Sequence, residues 1–118
     1  IAYLIFSQIN YQSMKTLMIP IYITSVSIFE IWQGVEDIAN EEKREKIYFL
    51  LNTMANFSFD VLAAQEAGSI HALLRKGGNI IDPEDSMIAG VAKTKKEIIL
   101  TRNIKHFRRI QNLMIETY

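Results

Sequence analysis

Apolar positions along this chain change period several times, between the 3.6-residue repeat of amphipathic helices and the short unbroken runs of buried strands. Residues 1 to 17 have mixed apolar character and are expected to form a helix, which ends toward Pro20 because a residue before proline avoids the helical region. Ile21 to Thr24 is rich in β-formers and reads as a strand. Ser25 then suits the N-cap of a helix running to about Asp37, with an inner stripe of Ile28, Ile31, Trp32 and Val35. Asn40 caps the next helix. Glu41 and Glu42 fill its first turn, where the helix dipole favours them, and Ile47, Leu50, Leu51 and Met54 form its stripe.

A short strand over Phe57 to Phe59 precedes Asp60, the N-cap of a helix carrying Ala63, Ala67, Ile70 and Leu74, which stops at Gly77-Gly78. Asp82-Pro83-Glu84-Asp85 has an acid at the cap, proline at the first helical position and acids in the first turn, so it opens a helix to about Thr94. Glu97 to Thr101 has the apolar centre of a buried parallel strand. Asn103 to Ile110 reads as a short basic helix, and Leu113 to Thr117 as a last strand. Strands alternating with helices imply a parallel sheet covered on both faces, a three-layer α/β/α sandwich. No repeat or linker divides residues 1–118, so one domain is expected, with its ligand crevice beyond the carboxyl ends of the strands.

Composition narrows the chemistry. The 118 residues include no cysteine, which excludes thiolate zinc sites, redox pairs and cysteine nucleophiles, and without a secretory signal it favours a reducing cytoplasmic setting. A chain this long buries about 65% of its unfolded surface without help from metals or bridges, so any metal would serve function. The longest apolar run, Leu17 to Ile23, is broken by Pro20 and falls well short of the roughly 20 residues of a spanning helix; no membrane partner is expected. The chain opens on Ile1 and not Met, so residues upstream are expected to have been lost. Charges balance at 13 basic and 13 acidic, but residues 75 to 109 hold nine basic against four acidic side chains. Such a segment is either a set of solvated faces or a surface for a polyanion.

Asp85 is the most informative acid. It shares a helix face with Ile88, Ala89 and Ala92, which points its carboxylate into the edge of the core, where it could hold a hard divalent cation; with Asp82 it could equally form a capping-box-like start. Glu30 lies off its helix's apolar stripe and reads locally as solvated. Thr101 and Asn103 end one run and begin a helix, where the local alternative is an N-cap. His71 and His106 lack zinc-ligand spacing, and no G-x-S-x-G elbow, Walker loop or dinucleotide fingerprint occurs.

Three segments, in order, resemble the PIN-domain nucleases, especially the small single-domain toxins of the VapC type. PIYITSVSIFEIWQG is similar to the family's second strand and the helix bearing its glutamate, with Glu30 at the matching position. GGNIIDPEDSMIAGVA resembles a Gly, apolar, Asp, Ile-Ala pattern through Gly78, Ile81, Asp85, Ile88 and Ala89. IILTRNIKHFRRI resembles the strand and Thr-x-Asp/Asn turn through Thr101 and Asn103, with Phe107 as the aromatic after it, and LMIETY resembles the closing strand. The resemblance implies a Mg²⁺- or Mn²⁺-dependent endoribonuclease, the toxin of a toxin and antitoxin pair, with Glu30, Asp85 and Asn103 as metal ligands and Thr101 beside them. RNA would be the substrate, its phosphates contacted by Arg102, Lys105 and Arg109, and an antitoxin protein and a second copy of the chain would be partners. The excess of apolar residues at Ile1, Leu4, Ile5, Phe6 and Ile9 agrees with a dimer.

One departure is plain. The family's first aspartate lies on an N-terminal strand in a Leu-x-Asp-Thr-like motif, whereas Ile1 to Leu4 resembles the helix after it, so the sheet is expected to lack that strand and one ligand. The other reading this leaves is a catalytically inert PIN-like module that binds RNA or protein.

Overall fold

A computed structural model describes residues 3–5 and 21–117. Five parallel strands form one sheet in the order β3-β2-β1-β4-β5, where β1 is Tyr3–Ile5, β2 Ile21–Thr24, β3 Asn56–Phe57, β4 Ile98–Leu100 and β5 Ile115–Glu116. Among the described residues the helices are α1 (Ser25–Val35), α2 (Glu41–Thr53), α3 (Val61–Lys76), α4 (Pro83–Lys95) and α5 (Ile104–Phe107). This is the expected α/β architecture with a parallel sheet. No described helix is long and apolar enough to cross a membrane.

The expected helix from residue 1, and a sheet without its N-terminal central strand, do not hold for residues 3–5. Tyr3–Ile5 pairs on one side with β2, Ile5 beside Ile23, and on the other with β4, Ile5 beside Leu100. Tyr3 to Ile5 lies within six consecutive apolar residues, Ile1 to Phe6, a length at which periodicity does not separate a buried strand from a helical turn. Parallel pairing on both edges then decides for the strand. The rest of the expected helix, with Pro20 and with Ile1, Phe6 and Ile9 of the dimer face, lies outside the described residues.

The other elements follow their caps. Thr24, rather than Ser25, is the N-cap of α1 and accepts the Ser27 N–H, while Asn40 accepts from Lys43 N–H and Asp60 from Ala63 N–H. Gly78 has φ +75°, the left-handed backbone that turns the chain out of α3 at a site where other residues would be strained. α5 closes at Phe107, three residues short of expectation, with Phe107 itself fully buried.

α4 is the central helix. Asp85, Ser86 and every residue from Ile88 to Ala92 are buried, and Ile88, Ala89, Val91 and Ala92 join Ile99, Phe107, Ile70 and Val26 in the core. It runs antiparallel to α3: Asp60 pairs with Lys95 at 3.7 Å, Glu66 with Lys93 at 3.0 Å, and His71 Nδ1 lies 2.8 Å from Ser86 Oγ. Running opposite to β4 as well, α4 presents its N-terminus at the carboxyl edge of the sheet.

Candidate functional site

Three chain segments meet at that edge. β2 ends in Thr24, whose buried hydroxyl accepts the Ser27 N–H at 2.9 Å and donates to Ser27 Oγ at 3.0 Å, which fixes the direction in which α1 leaves the sheet. β4 ends at the fully buried Thr101, whose Oγ1 accepts the Asn103 N–H at 2.9 Å. That turn holds Asn103 at the start of α5. Opposite stands Asp85 in the first turn of α4, 3% exposed, with its Oδ2 2.7 Å from His106 Nδ1. The same ring nitrogen lies 2.9 Å from Asn103 Nδ2.

The local capping readings of two of these residues are not realised. Asn103 makes no capping bond with its side chain, and neither does Asp82; the Asp85 side chain goes to His106. Burial pushes the Asp85 carboxyl above its ordinary value, against the pull of the His106 contact and charge, and the nearby Asp82 and Glu84 charges push the same way. An acid that served only as a dipole partner would remain solvated, so Asp85 is held in the crevice despite an electrostatic cost.

Glu30 is placed differently from its sequence pattern. It is half-buried, not solvated: the buried residues of α1 are Val26, Ser27 and Val35, of which Val26 and Ser27 lie one turn before Glu30, while Ile28, Ile31 and Trp32 of the expected stripe are only partly buried. Among the described residues no group of three or more His, Asp or Glu side chains is drawn together; the hydrogen bonds join Asp85 and Asn103 to His106, and Thr101 to Asn103. Arg102, Lys105 and Arg109 are exposed around α5. Lys93 and Lys95, counted in the basic third, are engaged in the ion pairs to α3.

His106, set aside in the sequence for want of zinc-ligand spacing, is the residue that joins the cluster. Its one signal is its place three residues after Asn103 on a helix that starts at a strand's end, a spacing that puts both side chains on one face.

The PIN domain family model matches residues 1–113 of the 118. The chain belongs to the PIN-domain family. A tRNA(fMet)-specific endonuclease VapC from Salmonella typhimurium is 30% identical over 97 residues, 81% of this chain and 74% of that protein. A ribonuclease VapC2 from Rickettsia felis is 29% identical over 99 residues, 83% of this chain and 74% of that protein. A crystal structure of VapBC2 from Rickettsia felis bound to a DNA fragment from their promoter matches this PIN domain with a TM-score of 0.85 at 24% identity, covering 100% of this chain and 99% of that one. DNA-bound VapBC from Salmonella typhimurium gives 0.84 at 22% identity, covering 99% and 98%. At these identities the two structures speak for the fold. In this PIN domain, the strand-end crevice is occupied by Asp85, Asn103, Thr101 and His106.

Proposed function

We propose that this PIN domain is a metal-dependent endoribonuclease of the VapC type, the toxin of a toxin and antitoxin pair, working in the cytoplasm. The observation that carries the proposal is the contact of Asp85, His106 and Asn103 beside Thr101 at the carboxyl edge of the sheet. The VapC relatives support the substrate class, and the VapBC complexes among the fold neighbours support an antitoxin partner and are compatible with a second toxin copy.

The donors suit a divalent cation: a carboxylate that burial disfavours as a lone charge, an amide and a ring nitrogen converge within hydrogen-bond distance. Asp85 and Asn103 would hold Mg²⁺ or Mn²⁺, with Glu30 as the third ligand the family resemblance implies. Bound there, the ion would lower the pKa of a water ligand and neutralise charge on the phosphodiester in the transition state. Thr101 keeps Asn103 in position by accepting its N–H. Arg102, Lys105 and Arg109 would engage flanking phosphates, where each contact releases counterions and makes binding salt-dependent.

The test is cleavage of tRNA(fMet), the substrate in the relatives' names, by antitoxin-free protein with Mn²⁺, with Mg²⁺ and with EDTA. Cleavage abolished by the chelator and restored by either ion is expected; cleavage indifferent to EDTA refutes the proposal. One observation favours the inert RNA- or protein-binding alternative: residues 1–29 contain neither Asp nor Glu, so this segment does not supply the acid expected on an N-terminal strand. Absence of cleavage together with intact RNA binding would establish that alternative.

A further inference from the structure

A single ring nitrogen is set between two polar side chains. His106 Nδ1 lies 2.7 Å from the buried Asp85 carboxylate and 2.9 Å from the Asn103 amide nitrogen, and it has one position for either a proton or a lone pair. As a donor to Asp85 it opposes the Asn103 N–H; as an acceptor from Asn103 it turns a lone pair toward the carboxylate. Turning the Asn103 amide over puts oxygens on both sides, which one Nδ1–H can bridge. His106 Nδ1, Asp85 and Asn103 would be the groups to hold a cation at this point, at the expense of this proton, since metal binding generally displaces protons from its ligands. Thr101 and Phe107 anchor α5 on either side, so the ring is held at this point by the fold.

We infer that His106 is itself a ligand of the site, through Nδ1, and that it makes the site prefer Mn²⁺ to Mg²⁺. Magnesium keeps to oxygen donors and near-ideal octahedra, whereas an imidazole nitrogen is acceptable to transition metals. A site of carboxylates and an amide accommodates both ions; exchanging one oxygen for nitrogen penalises magnesium. The inference rests on the reading that a divalent cation binds at Asp85, and it adds which ion and why.

Mn²⁺ binding to the full chain is measured by the loss of the free-ion EPR signal, with Mg²⁺ affinity read by competition, for the parent, His106→Gln, His106→Glu and Asp85→Asn. Far-UV circular dichroism checks that each variant is folded. The parent should bind Mn²⁺ more tightly than Mg²⁺, and its Mn²⁺ complex should show ¹⁴N modulation in electron spin-echo spectra. His106→Gln should lose that modulation and about 10- to 100-fold in Mn²⁺ affinity, with a much smaller loss for Mg²⁺. His106→Glu, which restores an oxygen donor, should move the preference toward Mg²⁺. Equal weakening of both ions in His106→Gln, or a parent complex without nitrogen modulation, overturns the inference while leaving the metal reading intact: His106 would then only orient Asp85. A parent that binds Mn²⁺ no better than Asp85→Asn overturns both.

Discussion

Replacing Gly90 by alanine tests the packing that brings Asp85 to the sheet edge. Gly90 is where α3 and α4 approach most closely: an added Cβ would lie 2.5 Å from the Ala63 carbonyl oxygen, 2.7 Å from Ala67 Cβ and 2.8 Å from Ala67 N. Two of these atoms are backbone and the third is a methyl fixed to it, so no rotamer change relieves the overlap and the helices must separate. In an open helix Gly→Ala stabilises by about 0.5–1 kcal/mol, because glycine loses more backbone entropy on folding. Overpacking a tight contact costs about 1–3 kcal/mol, and more where backbone must move. The balance is a net loss of about 1–2 kcal/mol, or roughly 4 to 10 °C in Tm for a domain of this size. Gly68→Ala on α3 is the control, since its Cβ would meet nothing within 4 Å and the residue is exposed; it should raise stability by about 0.5–1 kcal/mol. Thermal and urea unfolding of both variants gives the comparison. A Gly90→Ala protein as stable as Gly68→Ala would refute the close crossing, and with it the placement of α4.

Asp85→Asn removes a charge that burial disfavours, so we expect Mn²⁺ binding and cleavage to be lost while Tm holds or rises by a few degrees, about 0.5–1 kcal/mol; differential scanning calorimetry with and without Mn²⁺ checks this, and a metal-induced rise that survives the substitution removes Asp85 from the site. Asp60 has its carboxyl held below the ordinary value by the Ala63 N–H and by Lys95, so its contribution is present above the unfolded value of 3.8 and is lost as pH falls through the lowered folded value. Asp60→Asn keeps an acceptor for the cap without the titration, and its acid-unfolding curve should fall less steeply at the low-pH end; an unchanged curve refutes the assignment. Alanine at Arg102, Lys105 or Arg109 should weaken RNA binding and lower the slope of log K against log salt by about 0.7 for each lost phosphate contact, as measured by filter binding; an unchanged slope excludes that residue from the RNA surface.

Helix starts were the most legible part of the sequence. Asn40 and Asp60 cap as their types and spacing require, and Pro83 begins α4. Such signals are local, since the cap and the N–H it serves are three residues apart. The residues that fill the crevice are distant in sequence. Asp85 and His106 are 21 positions apart on different helices, and only the antiparallel run of α4 against β4 brings them within 2.7 Å. Periodicity misplaced Glu30 for a related reason: it selected the stripe from Ile28 to Val35, whereas the face that meets α4 begins at Val26 and Ser27, where a small hydroxyl residue carries no apolar signal. Tyr3–Ile5 is the opposite case. Its run is apolar in either conformation, and only pairing with strands beginning 18 and 95 residues later distinguishes them.

Asp60 and Asp85 show how the structure separates two meanings of one sequence signal. Both acids stand at the N-terminus of a helix, where the exposed N–H groups and the dipole welcome negative charge. At Asp60 that welcome is realised: the side chain is exposed, accepts the Ala63 N–H, and its acid is strengthened. Three residues into its helix segment, Asp85 has the same dipole available and yet its acid is weakened, because its carboxylate is turned inward to His106 and away from water. A fold that needed only a helix start would have gained by letting Asp85 reach solvent, as Asp82 and Pro83 do. Holding it inward costs stability, which the His106 contact offsets in part and a cation at the carboxylate would offset further. The spacing of Asp85 with Ile88, Ala89 and Ala92 already pointed to that burial; what it did not disclose is the ring of His106 that meets the carboxylate there.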